Sequence, residues 1–147
     1  MPASRFPVKQ AGFTLIAHRG FSSRAPENTF TAFDLALQEG FDHFELDVRL
    51  TADGVPVVIH DATLERTTDG SGPVAAVTLE EIERLDAGSW FRGDRSYRGE
   101  RVPALAALLD RYRSKAHIHL ELKSSEPELP AVVAPLLDAS SWLTVAA

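Results

Sequence analysis

Two alternating runs constrain the fold of this chain more than any other feature. In residues 44–50, Phe44, Leu46, Val48 and Leu50 alternate with Glu45, Asp47 and Arg49; in residues 117–123, Ile118, Leu120 and Leu122 alternate with His117, His119, Glu121 and Lys123. Successive side chains on a strand point to opposite faces, so each run reads as a strand with one apolar and one polar face. A shorter apolar run, residues 14–17, reads as a buried strand that ends in His18, Arg19 and Gly20. A helical pattern follows from Asn28 or Thr29 to about Glu39, with Phe30, Phe33 and Leu37 on one face and Gly40 as a C-terminal stop. Strand, crossover helix and strand make a βαβ unit, which predicts a parallel sheet. In such sheets the carboxyl ends of the strands carry ligands and catalytic groups.

The sequence Thr51-Ala-Asp-Gly54 signals a turn, and residues 55–60 are β-rich. An antiparallel hairpin with Leu50 opposite Val55 is expected. That register sets Val48 against Val57, Leu46 against Ile59 and Glu45 against His60, beside the carboxylates. Residues 61–100 read as an excursion. Thr78-Leu-Glu-Glu81 is a capping box that starts a short helix with Leu79, Ile82 and Leu85 turned inward. Trp90, Phe91 and Tyr97 then lie among glycines and charges, as in a surface flap. Leu105, Leu108, Leu109 and Tyr112 form the apolar stripe of a helix beginning near Pro103. A helical pattern over residues 129–137 contains Pro130 and Pro135, the latter predicting a kink, and residues 142–146 begin a further strand. Residues 1–12 read as a poorly ordered lead-in.

A length of 147 residues suits one domain with its own core, and 44% apolar with 24% charged residues is a globular composition. A net charge of -6 disfavours a nucleic-acid partner, and the absence of cysteine excludes disulfides and thiolate metal sites. No apolar run reaches the roughly 20 residues of a membrane span, and residues 1–12 lack the apolar core of a signal peptide, so a cytoplasmic protein is expected.

Polar groups converge on the predicted carboxyl ends of three strands: His18 with Arg19, Glu45 with Asp47, and Glu121 with Lys123. The hairpin returns His60 with Asp61. Three carboxylates on neighbouring strands repel one another unless a cation sits among them, and all-oxygen ligation favours Ca²⁺ or Mg²⁺. Two histidines can divide acid and base roles, and Arg19 and Lys123 can neutralise an oxyanion such as phosphate. Together these groups suggest phosphoryl transfer. The pair His117 and His119 would put two imidazoles on one strand face, a zinc-like spacing, but nearer the strand's start and away from this cluster. His43 reads as a surface residue, and Glu27 and Asn28 as residues that brace the loop.

Five blocks, Ile16-Ala-His-Arg-Gly20, Pro26-Glu-Asn-Thr29, residues 44–51, residues 53–61 and Leu120-Glu-Leu-Lys123, resemble the glycerophosphodiester phosphodiesterase family in order and spacing. The resemblance implies an α/β TIM (β/α)8 barrel that hydrolyses glycerophosphodiesters to an alcohol and glycerol 3-phosphate. It implies His18 and His60 as general acid and base, and Glu45, Asp47 and Glu121 as ligands of Ca²⁺ or Mg²⁺. Arg19 and Lys123 would hold the substrate phosphate. In the family's usual mechanism a glycerol hydroxyl attacks phosphorus and the resulting cyclic phosphate is hydrolysed. Residues 61–100 would be the family's capping insertion. A whole barrel needs roughly 250 residues. The chain is therefore expected to be a single partial-barrel domain over 1–147, with about four parallel strands, a β-hairpin and a small helical insertion. Its open barrel edges would permit self-association. The alternatives are a catalytically inactive barrel fragment or interaction remnant, and a zinc-dependent hydrolase using His117 and His119.

Overall fold

Four parallel strands form the frame of the molecule, in the order β1 (Ala17–His18), β2 (His43–Leu50), β4 (His117–Leu122) and β5 (Leu143–Ala146). The structure, a computed structural model, describes residues 12–93, 96–137 and 142–147. Most of the expected lead-in, residues 1–11, lies outside the described residues. Crossover helices α1 (Phe30–Gln38) and α3 (Leu105–Tyr112) join the strands, and α4 (Leu129–Val133) follows β4. The register sets Glu45 beside both His18 and His119, and Asp47 beside Glu121.

The apolar face of the sheet packs against the helices. Phe44, Leu46, Val48, Ile118 and Leu120 are buried with Phe33 and Ala36 of α1 and with Leu105, Leu108, Leu109 and Tyr112 of α3. The Phe44 ring lies 5.3 Å from Phe33 and meets Tyr112 edge-on at 5.4 Å, an arrangement aromatic quadrupoles favour. In α1 the helical period is as expected, but Ala32, Phe33 and Ala36 are its fully buried residues, with Phe30 and Leu37 at the margin. Thr29 caps the helix by accepting from the Ala32 N–H. Beyond Val133 the chain tightens into a 3₁₀ turn, Ala134–Leu136, at the predicted proline kink.

Two expectations are corrected here. The first strand is shorter than its apolar run: only Ala17 and His18 pair with β2, while Leu15 and Ile16 are exposed. Among the described residues nothing pairs with the outer edge of β1, so the apolar run has no neighbour to bury it. The hairpin register is also shifted by one residue. β3 (Pro56–Val58) pairs Val48 with Val58, Arg49 with Val57 and Leu50 with Pro56. The Thr51 hydroxyl accepts from the Val55 N–H and Gly54 adopts a left-handed φ of 74°, which lengthens the turn. A one-residue slip flips every side chain to the other face. Val57 and Ile59 accordingly leave the main core and join Leu64, Val74, Ile82, Ala87 and Val102 in a second small core beneath the insertion. The predicted capping box at Thr78 and Glu81 is present and starts α2 (Leu79–Ile82).

Candidate active site

The loop after β1 is built by backbone chemistry before any side chain acts. The Arg19 N–H continues the ladder to the Glu45 carbonyl at 2.9 Å and lies 3.3 Å from the Glu45 carboxylate. Arg19 and Asn28 both hold left-handed φ values, 58° and 57°, and the Asn28 N–H donates to the Arg19 carbonyl at 2.9 Å. Such angles cost a non-glycine residue about 1 kcal/mol or more and persist only where the surroundings over-determine them. Gly20 also has a positive φ, and a Cβ there would meet the Ala32 backbone carbon at 2.7 Å. Its lack of a side chain is what lets the loop lie down on α1.

Glu45, Asp47 and Glu121 meet as predicted: each offers an oxygen within 4.8 Å of the others. Asp47 is 1% exposed and lies at the centre. The Asn28 amide donates to its Oδ2 at 3.1 Å, Arg19 Nε approaches the same oxygen at 3.3 Å, and Lys123 Nζ lies 3.9 Å from Oδ1. Lys123 pairs more closely with Glu121, at 2.7 Å, and that hydrogen bond holds the Glu121 carboxyl below the usual range. Glu45 is pushed up to about 7, first by burial and then by the charges of Asp47 and Glu121. Glu45 Oε1 and Asp47 Oδ1 are buried without a hydrogen-bond donor. Two orphaned acceptors beside a third carboxylate fit an oxygen-liganded divalent cation, because buried acceptors are otherwise satisfied.

Of the predicted histidines, His18 touches this group and His60 lies within electrostatic reach of Glu121. His18 Nε2 lies 3.7 Å from Glu45 Oε2, and its side chain is 65% exposed. His60 lies just beyond β3, and the revised register sets it past the ladder rather than opposite Glu45. Its placement comes from other contacts. Its Nδ1 is 2.7 Å from Asp61 Oδ1, and its carbonyl accepts from Arg49 Nε at 2.6 Å. Arg66, from the insertion, donates to both Asp61 oxygens and to both Glu27 oxygens, at 2.7–3.1 Å. Hydrogen bonds from Arg66 are the main reason Asp61 sits well below the usual carboxylate range. Burial opposes ionisation of Glu27, yet Arg66 and Arg19 outweigh it and hold that carboxyl low as well. Glu27 thus links Arg19, at 3.2 Å, to the insertion.

Arg49 and Arg66 were not legible as site-forming residues from the sequence. His43 is a further correction: it is not an isolated surface residue but joins His117 and His119 on the polar face. The alternation of β2 read one step further back, to 43, 45, 47 and 49, carries the signal. The region around Trp90 and Phe91 is pinned rather than loose. Asp86 accepts from the N–H groups of Gly88, Ser89 and Gly99, and the Tyr97 hydroxyl donates to the Arg24 carbonyl.

Parallel strands in sequential order, with helices against one face and a polar cluster at their carboxyl ends, are what one sector of a TIM barrel presents. Solved structures agree. A glycerophosphodiester phosphodiesterase from Agrobacterium tumefaciens is 52% identical with a TM-score of 0.75, over 82% of this chain and 52% of its own. An Oleispira antarctica phosphodiesterase in complex with the product sn-glycerol-3-phosphate is 38% identical with a TM-score of 0.80, over 88% of this chain and 54% of its own. The glycerophosphodiester phosphodiesterase of Caldanaerobacter subterraneus subsp. tengcongensis is 46% identical over 126 residues, 85% of this chain and 51% of the relative. The chain matches the Glycerophosphoryl diester phosphodiesterase family over residues 18–133, and it belongs to that family. It spans about half the length of these relatives, and its open sheet is part of their barrel. No helix among the described residues is long and apolar enough to cross a membrane.

Proposed function

We propose that this chain carries the charged centre of a metal-dependent glycerophosphodiester hydrolase, with products an alcohol and glycerol 3-phosphate. The observation that supports it most is the pair of buried, donorless oxygens of Glu45 and Asp47 beside Glu121. Those three residues would hold Ca²⁺ or Mg²⁺. When bound, the ion supplies positive charge to a phosphate oxygen. Arg19 and Lys123 are aimed at the same place and would take the remaining phosphate charge. Asp61 at His60 Nδ1 orients that ring, leaving Nε2 to exchange a proton with substrate. His18 and His60 would divide the two proton transfers, one accepting from the attacking glycerol hydroxyl and the other protonating the departing alcohol oxygen. Attack forms a new P–O bond, and the bond to the alcohol breaks. Water then opens the cyclic phosphate, with the two proton roles reversed. Residues 61–100, clasped to the loop by Arg66, would cap the glycerol side.

The outer edges of β1 and β5 are unpaired among the described residues, and Phe13, Leu15, Ile16 and Val145 are exposed beside them. We propose that these edges are covered by further sheet, which in the isolated chain means self-association; light scattering should give a mass above that of a monomer. The test of the chemistry is turnover of glycerophosphocholine with Ca²⁺ or Mg²⁺. Turnover should vanish with a chelator and fall at least about 100-fold in His18→Ala. Turnover indifferent to both would overturn the reading, and bound metal with no turnover would favour an inactive remnant.

A further inference from the structure

The polar face of the sheet has a second end, and it is lined by nitrogen rather than oxygen. His43 pairs with His117 across β2 and β4, and His119 follows two residues on, so period-two alternation brings all three imidazoles to one face. Each offers a ring nitrogen within 4.8 Å of the others. The ring centroids are 4.9 Å apart for His43 and His117, 5.3 Å for His43 and His119, and 4.7 Å for His117 and His119. Their polar partners are one another and a threonine. His43 Nδ1 and His119 Nε2 share a hydrogen bond at 3.0 Å, and His117 Nε2 bonds the Thr144 hydroxyl of β5 at 2.8 Å.

We propose that His43, His117 and His119 bind a borderline divalent transition cation, Zn²⁺ foremost, at a position separate from the carboxylates. Imidazole nitrogens suit Zn²⁺, Cu²⁺ and Ni²⁺, whereas Ca²⁺ and Mg²⁺ prefer oxygen, so the two ends of the face select different ions. Zn–N bonds of about 2.0–2.1 Å in tetrahedral geometry put ligand nitrogens roughly 3.4 Å apart, a small rotation of these side chains from their present spacing. Binding replaces the hydrogen bond between His43 and His119 with two metal–nitrogen bonds. The shared hydrogen moves through solvent to the outer nitrogen of its ring, and no net charge is lost from the protein. Three protein ligands leave a fourth position open. His119 lines a cavity of about 150 Å³ together with Glu45, Glu121 and Thr144, so small ligands can reach the trio from the same space that the carboxylates face. Two residues along β4 separate His119 from Glu121, about 6–7 Å of strand.

The experiment is titration of the metal-free protein with Co²⁺ in excess Mg²⁺, followed by visible absorption. The expected result is one equivalent of Co²⁺ with the intense bands of low-coordinate nitrogen ligation, displaced by Zn²⁺. His43→Asn and His119→Gln should each weaken Co²⁺ binding at least about tenfold, with circular dichroism showing retained fold. Glu45→Gln combined with Glu121→Gln should leave the bands in place. Absence of the bands, their persistence in both histidine variants, or their loss in the glutamate double variant would each overturn the proposal. The readout is independent of phosphodiester turnover, so its failure is distinguishable from failure of the hydrolytic reading.

Discussion

The two ends of the polar face are made by the same two strands and the same alternation, yet they differ in what surrounds them. At the carboxyl end, Asp47 is buried and is approached by Arg19, Asn28 and Lys123, contributed by the loop after β1 and the end of β4. At the amino end, the side-chain hydrogen bonds of the three imidazoles among the described residues are to one another and to Thr144. Strand alternation supplies polar groups at both ends equally. What separates a strained, charge-packed centre from a half-exposed cluster is the loop that follows the strand.

The largest expected effect comes from removing the charge at the heart of the first end. Asp47→Asn should weaken Mg²⁺ or Ca²⁺ binding by more than about 100-fold, measured calorimetrically, while leaving Co²⁺ absorption at the histidines unchanged. Loss of both together would show that the two ends are one site. Leu120→Ala comes next. This residue is 1% exposed and packs behind both ends, so about 3 kcal/mol of stability should be lost in chemical denaturation. Each ion's binding should survive below the denaturation midpoint. Arg66→Ala acts on the carboxyl end alone. Without the guanidinium, Asp61 and Glu27 lose their shared partner, and kcat should fall about tenfold with KM little changed. Arg66→Lys should not rescue it, since an ammonium cannot serve both carboxylates in forks.

The smallest effect is one of pH. Asp61 and Glu27 have folded pKa values below their unfolded ones, so the stability from their pairing with Arg66 is fully present above the unfolded carboxylate range, begins to fall within it, and is lost as pH drops on through the lower folded values. Amide exchange in residues 61–88 should show weaker protection relative to the sheet at pH 4 than at pH 7. In Arg66→Ala that difference should disappear. A difference unchanged by the variant would assign the acid sensitivity to other groups.

How much of this was legible in the sequence follows the range of the interactions. Period-two alternation is local, so Glu45, Asp47 and Glu121 could be set on one face and brought together by parallel pairing. The stripe of α3 and the capping box at Thr78 are equally local. The hairpin register failed because Thr51 bonds its own turn, accepting from the Val55 N–H and donating to Asp53, whose carboxylate also accepts from the Leu79 N–H in the insertion. His60 nevertheless lies within electrostatic reach of Glu121, held by Asp61 and Arg49 rather than by the register that predicted it. Arg66 was missed because the contact that ties it to the site is long-range: Asp61 lies five residues before it, but Glu27 lies 39 residues before it, in the loop after β1. The exposure of Leu15 and Ile16 depends on what pairs with β1, which a pattern of apolar residues does not report.

The strand order carries a consequence for how the centre comes into being during synthesis. Each parallel neighbour lies one crossover further along the chain, so the sheet grows in the direction in which the ribosome delivers it. His18, Glu45 and Asp47 emerge early and are left with an incomplete ring of like charge. Glu121, on β4, and Lys123, just after it, emerge more than 70 residues later, and Lys123 brings the cation that pairs with Glu121 and approaches Asp47. Until α3 docks and β4 is drawn in beside β2, the nascent chain holds two carboxylates without their closing partners. Any effect of divalent cations on assembly would therefore fall on the docking of β4 against β2 rather than on the earlier pairing of β1 with β2.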